Sequence, residues 1–313
     1  MIVNLPDCST RDVSKQLVRL RSQVGAVTQG GVMTLVIVTD EEHADDAIEA
    51  AAEASHEHPS RILVLVAGSK RGGSRLDAQI RVGGEAGVSE LIVLRLAGEL
   101  VDHGGSVVIP LLLADSPVVA WWPGAGPKEL AGSSVGRLAQ RRITDAATTS
   151  NPRRELAVRA DDYTHGDTDM AWARTTRWRA LLATTLDQEP FEQVTAVTVK
   201  GASDSASSDL VAAWLAVRLR CPVERVDGAK GRGLISVTME RASGAIVLER
   251  SEAEHATLTQ PGQQPRHFPL PRPSTAGALA EELRRLDKDE VYRDALQGLD
   301  LVKTKSSTKA KKS

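Results

Sequence analysis

The sequence predicts two α/β domains with mixed sheets flanked by helices. Short runs rich in β-branched residues alternate with helical patterns in both halves of the chain. Residues 146–168 interrupt these patterns with a turn-rich, charged segment. The chain has 313 residues, enough to bury two cores. We therefore predict an N-terminal domain at residues 1–160, a C-terminal domain at 161–300, and a flexible, disordered lysine-rich tail at 301–313.

The first half opens with a predicted helix at residues 7–25, whose apolar side chains recur at helical spacing. Strands follow at 32–38 and 61–67, with a helix at 40–55 between them. This order favours a parallel strand pair joined by a right-handed crossover. Further patterns predict strands at 76–82 and 91–96 and a basic helical segment at 126–142.

The longest apolar stretch, residues 106–124, organises this half. Asp115, Ser116 and Pro117 divide it into a predicted buried helix at 107–114 and a short strand at 118–122. Adjacent residues of a strand point to opposite faces, so Trp121 and Trp122 do too. Either both faces are covered, or one tryptophan lies at a surface where something binds.

The second half opens with a predicted helix at 169–187, which carries two tryptophans. A strand at 194–199 and a helix at 209–220, capped by Ser207 or Ser208, follow. An antiparallel meander starts at residue 234, with a hairpin turn at Ser243 and Gly244. The remaining predictions are a short strand at 223–226, an irregular Pro/Gln-rich run to 273, and helices at 274–286 and 289–298.

Composition excludes several classes of protein. The net charge of −2 gives no global attraction to nucleic acid or to an anionic membrane. We find neither a signal peptide nor a window of ~20 apolar residues, and so expect a cytoplasmic protein. Cys8 and Cys221 are too few for a disulfide framework, and we predict free structural thiols, with a regulatory disulfide as the alternative.

Motifs for enzymatic chemistry are missing. The chain has no G-x-x-x-x-G-K-[ST] and no G-x-S-x-G, and the glycines at 83–87 precede a strand rather than a helix. The histidines at 56, 58 and 165 have metal-type neighbours but no full ligand set at a recognised spacing. We therefore predict no enzyme activity, no cofactor and no metal.

Two loops have the composition of anion sites. Residues 68–75 form a basic turn, and residues 201–208 join a strand to a helix with several hydroxyl side chains. The alternatives are a solvated hairpin turn for the first and helix capping for the second.

The helix from residue 169 reads D-M-A-W-A-R-T-T-R-W-R-A-L-L. Its spacing allows one tryptophan to fill the core while the other stays near the surface among Arg174, Arg177 and Arg179. Trp and Arg are the residues most enriched in the hot spots of protein interfaces. A sugar phosphate is a second possible ligand of this surface, and burial of both tryptophans with solvated arginines is the structural alternative.

Four runs together resemble a known family. They are H-P-S-R at residues 58–61, P-L-L-L-A-D-S-P-V-V-A-W-W-P-G at 110–124, R-R-I-x-D at 141–145, and D-x-x-W-x-R-x-x-x-W-R from 169. In order and spacing they resemble the glucose-6-phosphate dehydrogenase assembly protein family, OpcA. One departure is that T-D-A-A follows R-R-I, without the usual serine.

The resemblance implies a non-enzymatic partner of glucose-6-phosphate dehydrogenase that promotes its assembly or activity. The alternatives are a sensor that binds a sugar phosphate or nucleotide, and an unrecognised sugar-phosphate enzyme. We expect no nucleic-acid or membrane partner. The predicted partner-binding residues are Trp121, Trp122, Arg141, Arg142, Trp172, Arg174 and Arg179, and a turn or ligand role is predicted for His58 and Arg61.

Overall fold

The computed structural model describes residues 1–24, 32–83, 90–251 and 254–306. The chain divides into two compact units whose segments interleave in sequence. The first unit comprises Met1–Asp145, Thr164–Thr168 and Ser274–Lys288, and the second comprises Ala146–Tyr163, Asp169–Pro273 and Asp289–Ser313. The boundary near residue 160 stays a prediction. Residues 307–313 of the basic tail, and 84–87 of the glycine-rich stretch, lie outside the described residues.

The strands and helices of the described residues are numbered in chain order. The strands are β1 (Ile2–Leu5), β2 (Met33–Asp40), β3 (Ser60–Ala67), β4 (Arg75–Val82), β5 (Glu90–Ala97), β6 (Val118–Trp121), β7 (Arg141–Thr144), β8 (Asp167–Asp169), β9 (Ala196–Ala202), β10 (Val223–Gly228), β11 (Leu234–Glu240), β12 (Ile246–Arg250), β13 (His255–Thr259), β14 (Arg266–Pro269) and β15 (Val302–Ser306). The helices are α1 (Thr10–Val24), α2 (Ala44–Ala54), α3 (Gly104–Val108), α4 (Pro152–Asp161), α5 (Met170–Ala173), α6 (Thr176–Leu186), α7 (Ala206–Leu219), α8 (Thr275–Leu283) and α9 (Glu290–Gln297).

The first sheet has eight strands in the order β1-β4-β5-β3-β2-β6-β7-β8. Its centre is parallel, and β2 pairs with β3 in the predicted parallel sense, with Leu35 opposite Ile62. Because strands in such a sheet are buried on both faces, β2 and β3 are almost continuously apolar. Helix α1 contributes Val13 and Leu17 to the core on one face. The alanine-rich helix α2 packs against α8.

The second sheet has seven strands in the order β14-β13-β12-β11-β9-β10-β15. The predicted meander is confirmed, because β11, β12, β13 and β14 pair antiparallel in succession. Gly244 has φ +117° in the turn between β11 and β12, a conformation that favours glycine. Strands β9, β10 and β15 are parallel. The prediction of two mixed sheets flanked by helices is therefore confirmed.

Several local predictions are wrong. Residues 126–142 form turns, a short 3₁₀ turn and the start of β7 rather than a helix, and β7 pairs with β6, Arg141 opposite Val119. The predicted buried helix at 107–114 is instead α3 and a short 3₁₀ turn. The helix predicted at 169–187 is two helices, α5 and α6, and the charged segment before it contains α4. The Pro-rich run contains β14, whose Pro269 is tolerated at a sheet edge.

The prediction of a disordered tail from residue 301 is also wrong for residues 302–306. These residues form β15, which pairs in parallel with β10, Val302 opposite Val223. An ion pair between Lys305 and Glu224 joins the two strands. The polar composition of these residues predicted disorder, but their backbone groups form hydrogen bonds with β10, which lies 79 positions earlier in the chain.

Candidate partner-binding site

Both tryptophans at the end of β6 are buried. Trp121 is 0% exposed and Trp122, the next residue, is 6% exposed. Trp122 packs in the apolar core with Leu130 and Val135, and its backbone N–H donates to the Ile143 carbonyl oxygen at 2.9 Å. Of the two outcomes left open by the sequence, the structure shows that both faces are covered. Contact between a partner and either tryptophan stays a prediction.

Arg141 makes a buried ion pair within the first unit. Its Nη2 donates to Glu282 Oε2 on α8 at 2.5 Å, and its Nη1 donates to the Asp287 carbonyl oxygen at 2.8 Å. The side chains of Arg141 and Glu282 are 5% and 3% exposed. A buried charge needs such partners to offset its lost hydration. The contact observed for Arg141 is therefore structural, because it ties β7 to α8.

Arg142 is buried in a cluster of its own. It forms an ion pair with Asp167, and its Nη1 and Nη2 donate to the carbonyl oxygens of Ala139 and His165 at 2.8 and 2.5 Å. Gly166, which lies between His165 and Asp167, has φ +100°, and a Cβ there would lie 3.0 Å from Arg142 Nη2. His165 and Asp167, whose residue types are common among metal ligands, thus contact the guanidinium group of Arg142.

His58 and Arg61 contribute to the entry of β3. The His58 backbone N–H donates to the Ala54 carbonyl oxygen at 3.2 Å, which closes the turn after α2. Arg61 is buried, and its Nε donates to Glu90 Oε2 on β5 at 2.6 Å. Arg21 of α1 also donates to Glu90, from Nη2 at 2.8 Å. The Glu90 carboxylate therefore joins α1, β3 and β5, and the contact observed for Arg61 is structural.

Trp172 is held from several sides within the second unit. Asp169 caps its helix, α5, by accepting the Ala171 N–H at 2.8 Å. The indole Nε1 of Trp172 donates to Asp289 Oδ2 at 2.8 Å, and its ring centroid lies 5.9 Å from that of Tyr292. Trp172 is 1% exposed and Trp178 is 2% exposed. The prediction that one of them stays near the surface is therefore wrong, and the alternative of two buried tryptophans is correct. Trp172 packs in an apolar cluster with Leu156 and Tyr292.

The arginines of this segment remain accessible. The guanidinium carbon of Arg179 lies 3.6 Å from the Trp172 ring centroid, and its Nε donates to Thr175 Oγ1 at 2.9 Å. Arg174 and Arg179 are half-buried and Arg177 is exposed. We name Arg174, Arg177 and Arg179 the arginine surface. Arg174 and Arg179 belong to the predicted site, and a partner could contact this surface without unfolding the unit.

Two models of known protein families match this chain. Residues 51–161 match the family model for the N-terminal domain of the OpcA glucose-6-phosphate dehydrogenase subunit, and residues 165–296 match the model for its C-terminal domain. Together the matches cover well over half of the sequence. The chain belongs to the OpcA family. The first three family-like runs lie in the first OpcA domain match, and the Trp–Arg run lies in the second.

No curated protein matches this OpcA-family chain. Among solved structures, the 3-ketoreductase KijD10 from Actinomadura kijaniata is similar at 10% identity and a TM-score of 0.43, over 88% of this chain and 100% of that one. A Gfo/Idh/MocA family oxidoreductase from Vibrio cholerae is similar at 8% identity and a TM-score of 0.37, over 85% and 94%. Likenesses this weak give no information on function.

The loop at residues 201–208 caps a helix of the OpcA-family chain. Ser205 is the N-cap of α7, with its Oγ 3.2 Å from the Ser208 backbone nitrogen, so the prediction of a cap at Ser207 or Ser208 is wrong. Ser208 Oγ donates to Ser205 Oγ at 2.8 Å, and Ser207 Oγ donates to the Ala171 carbonyl oxygen at 2.8 Å. These hydroxyls serve the protein's own backbone and side chains, as the capping alternative required.

The second unit contains a charged cluster that the sequence patterns do not predict. Arg225 on β10 is fully buried, and its Nε donates to Asp209 Oδ1 at 2.9 Å. Arg153 contacts the same carboxylate at 3.1 Å and also pairs with Asp227. The hydrogen bond to Asp227 raises the pKa of Arg153. The one local signal was an arginine at an inward-facing position of a short strand, which does not reveal its distant partners.

The two cysteines of the OpcA-family chain are free and half-buried. Burial raises the pKa of the Cys8 thiol, with the Asp12 charge as the next cause, and burial also raises that of Cys221. Across the described ranges, no helix is long and apolar enough to cross a membrane. In the same ranges, no three His, Cys, Asp or Glu side chains group as a metal site.

Proposed function

We propose that this chain binds glucose-6-phosphate dehydrogenase and favours its active oligomer at the entry to the oxidative pentose phosphate pathway, without catalysing a reaction itself. The supporting observation is that two family models, each described as a domain of a glucose-6-phosphate dehydrogenase subunit, match residues 51–161 and 165–296. The dehydrogenase supplies the chemistry, and this chain shifts the population of its states.

Such a shift needs differential binding. A partner that binds the active and inactive states equally well cannot change their ratio. A tenfold rise in the ratio of active to inactive dehydrogenase requires that this chain bind the active state more tightly by about 1.4 kcal/mol. The coupling is reciprocal, so a ligand that stabilises the active dehydrogenase must also tighten its complex with this chain.

The arginine surface is the proposed contact. Arg179 is held against the Trp172 ring and hydrogen-bonded to Thr175, so less side-chain entropy is lost when it binds. Guanidinium groups at a protein interface bind carboxylates with two parallel hydrogen bonds. The expected counterpart on the dehydrogenase is an acidic patch.

The test measures dehydrogenase activity at sub-saturating glucose 6-phosphate, with and without this chain, alongside light scattering of the mixture. A rate increase with a co-eluting complex is expected. Absence of both effects, under reducing and oxidising conditions alike, would overturn the proposed function.

Charge reversal tests the proposed surface. The double variant Arg174→Glu/Arg179→Glu should lose activation while retaining its circular dichroism spectrum. The control is Arg154→Glu, since Arg154 is exposed in the first turn of α4 of the same unit, where a carboxylate suits the helix dipole. A folded double variant that activates like wild type would remove the arginine surface from the proposal and leave dehydrogenase binding intact.

A further inference from the structure

Arginines from three separate segments line a cleft in the second unit. Arg174 follows α5, Arg250 ends β12, and Arg272 lies after β14. The cleft consists of two cavities, of about 200 and 530 Å³, which share Arg250 and Arg272. Arg174 lines the smaller cavity, and Lys200 and Arg232 line the wider one. We name Arg174, Arg250 and Arg272 the arginine cleft.

Among the described residues, Arg250 is a desolvated cation with no ion pair. Its side chain is half-buried, and its buried Nε has no hydrogen-bond partner in the part of the chain that the structure describes. Its guanidinium carbon lies 5.2 Å from the Trp178 ring centroid. Burial, with the Arg272 charge as a second cause, lowers the pKa of Arg250 to about 10. Arg250 is still charged at neutral pH, so an anion in the cleft would offset part of its lost hydration.

Arg272 is oriented by carbonyl oxygens and has no ion pair with any described residue. Its Nη1 donates to the Gly231 carbonyl oxygen at 3.1 Å, and its Nη2 donates to that of Arg232. Carbonyl oxygens fix the guanidinium but carry no full charge. Among the described lining residues of both cavities, five side chains are cationic and only Glu249 is a carboxylate. These described lining residues therefore carry a net positive charge around a concave surface, an arrangement that concentrates anions.

We propose that the arginine cleft binds the phosphate group of a small phosphomonoester. Guanidinium groups match phosphate oxygens with paired, charge-assisted hydrogen bonds. The smaller cavity holds the phosphate between Arg174 and Arg250, and the wider cavity admits the rest of the molecule. The Glu249 carboxylate, which lines the wider cavity, can accept hydrogen bonds from hydroxyl groups of the ligand. This inference does not rest on the proposed function, because it requires no second protein.

Thermal unfolding and calorimetric titration of the full chain in phosphate-free buffer test the proposal. The probes are glucose 6-phosphate and inorganic phosphate, with glucose and sodium chloride at matched ionic strength as controls. Glucose 6-phosphate should raise the Tm in a concentration-dependent way, whereas neither control should.

Arg250→Met should weaken glucose 6-phosphate binding about tenfold or more, because hydrogen bonds to a charged group are lost. Its Tm without probe should equal or exceed that of wild type, because an unpaired desolvated cation is removed. Arg218→Met is the matched control, since Arg218 pairs with Asp294 on the surface of the same unit and lines neither cavity. It should keep the wild-type response.

Four results would overturn the proposal. The first is no Tm rise with glucose 6-phosphate, and the second is an equal Tm rise with sodium chloride. The third is binding of inorganic phosphate without binding of glucose 6-phosphate, and the fourth is an unchanged affinity of Arg250→Met for glucose 6-phosphate. Should Arg250→Met not fold, Arg272→Gln at the exposed rim replaces it, with the same expected loss of affinity and the same refuting result.

Discussion

Removing the charge of Glu282 would test the buried ion pair that ties β7 to α8. Glu282→Gln keeps the size of the side chain but removes the carboxylate that Arg141 contacts at 2.5 Å. Both side chains are almost completely buried, so water cannot rehydrate the remaining guanidinium. Residues 141 positions apart in sequence are joined by this contact.

The expected loss is large. Breaking a buried pair by removing one partner costs about 3–5 kcal/mol of unfolding free energy. For a unit of 150–250 residues, each kcal/mol lowers the Tm by ~2–4 °C, so the Tm should fall by about 6–20 °C. The double variant Arg141→Met/Glu282→Leu should recover at least half of this loss, because an apolar pair carries no desolvation cost.

Differential scanning calorimetry is the assay, and Glu281→Gln is the control. Glu281 is the neighbouring residue on α8, and its carboxylate pairs with Arg284 at 3.3 Å, with the Arg284 side chain 59% exposed. Losing that pair should cost at most about 1 kcal/mol. If Glu282→Gln and Glu281→Gln lower the Tm equally, the argument from burial is refuted. A double variant less stable than Glu282→Gln would refute it as well.

Three further predictions concern a glycine, a helix cap and the two cysteines. Gly166→Ala should cost about 2 kcal/mol or more in urea unfolding, because φ is +100° and the added Cβ would lie 2.2 Å from a carbonyl oxygen; Gly73→Ala, with open space around it, should change stability by less than about 0.5 kcal/mol. Ser205→Ala should cost about 1 kcal/mol in the same assay, through loss of the α7 cap. Cys8 and Cys221 should react with iodoacetamide more slowly than a free peptide thiol at pH 7 and faster as pH rises, because their raised pKa leaves less thiolate; mass spectrometry showing rapid labelling at pH 7 would contradict this.

Sequence patterns predicted the elements whose cause is local. Strands β2 and β3 are almost continuously apolar, and the turn between β11 and β12 has a glycine, Gly244, where the backbone φ is +117°. Helical periodicity located α1, and an acidic start followed by alanines located α2, each to within a few residues. In each case the side-chain period and the turn residues lie inside the element itself.

Elements with a distant cause were missed. Strand β15 has a polar, lysine-rich sequence and forms because β10 offers its backbone hydrogen bonds. Residues 126–142 look helical by composition, but the end of this segment forms β7 because it pairs with β6, Arg141 opposite Val119. No local pattern contains either neighbour, so neither outcome could be predicted from the segment alone.

By itself, the sequence determined the fold class and the family, because apolar periodicity and four spaced motifs are both written along the chain. The tertiary structure alone decided which motif side chains are accessible: Trp121 and Arg141 are buried, whereas the arginine surface is not. It also brought Arg250 and Arg272 together with Arg174 around one cleft. The reason is that burial and charge pairing depend on contacts between distant segments, and those contacts exist only once the chain has folded.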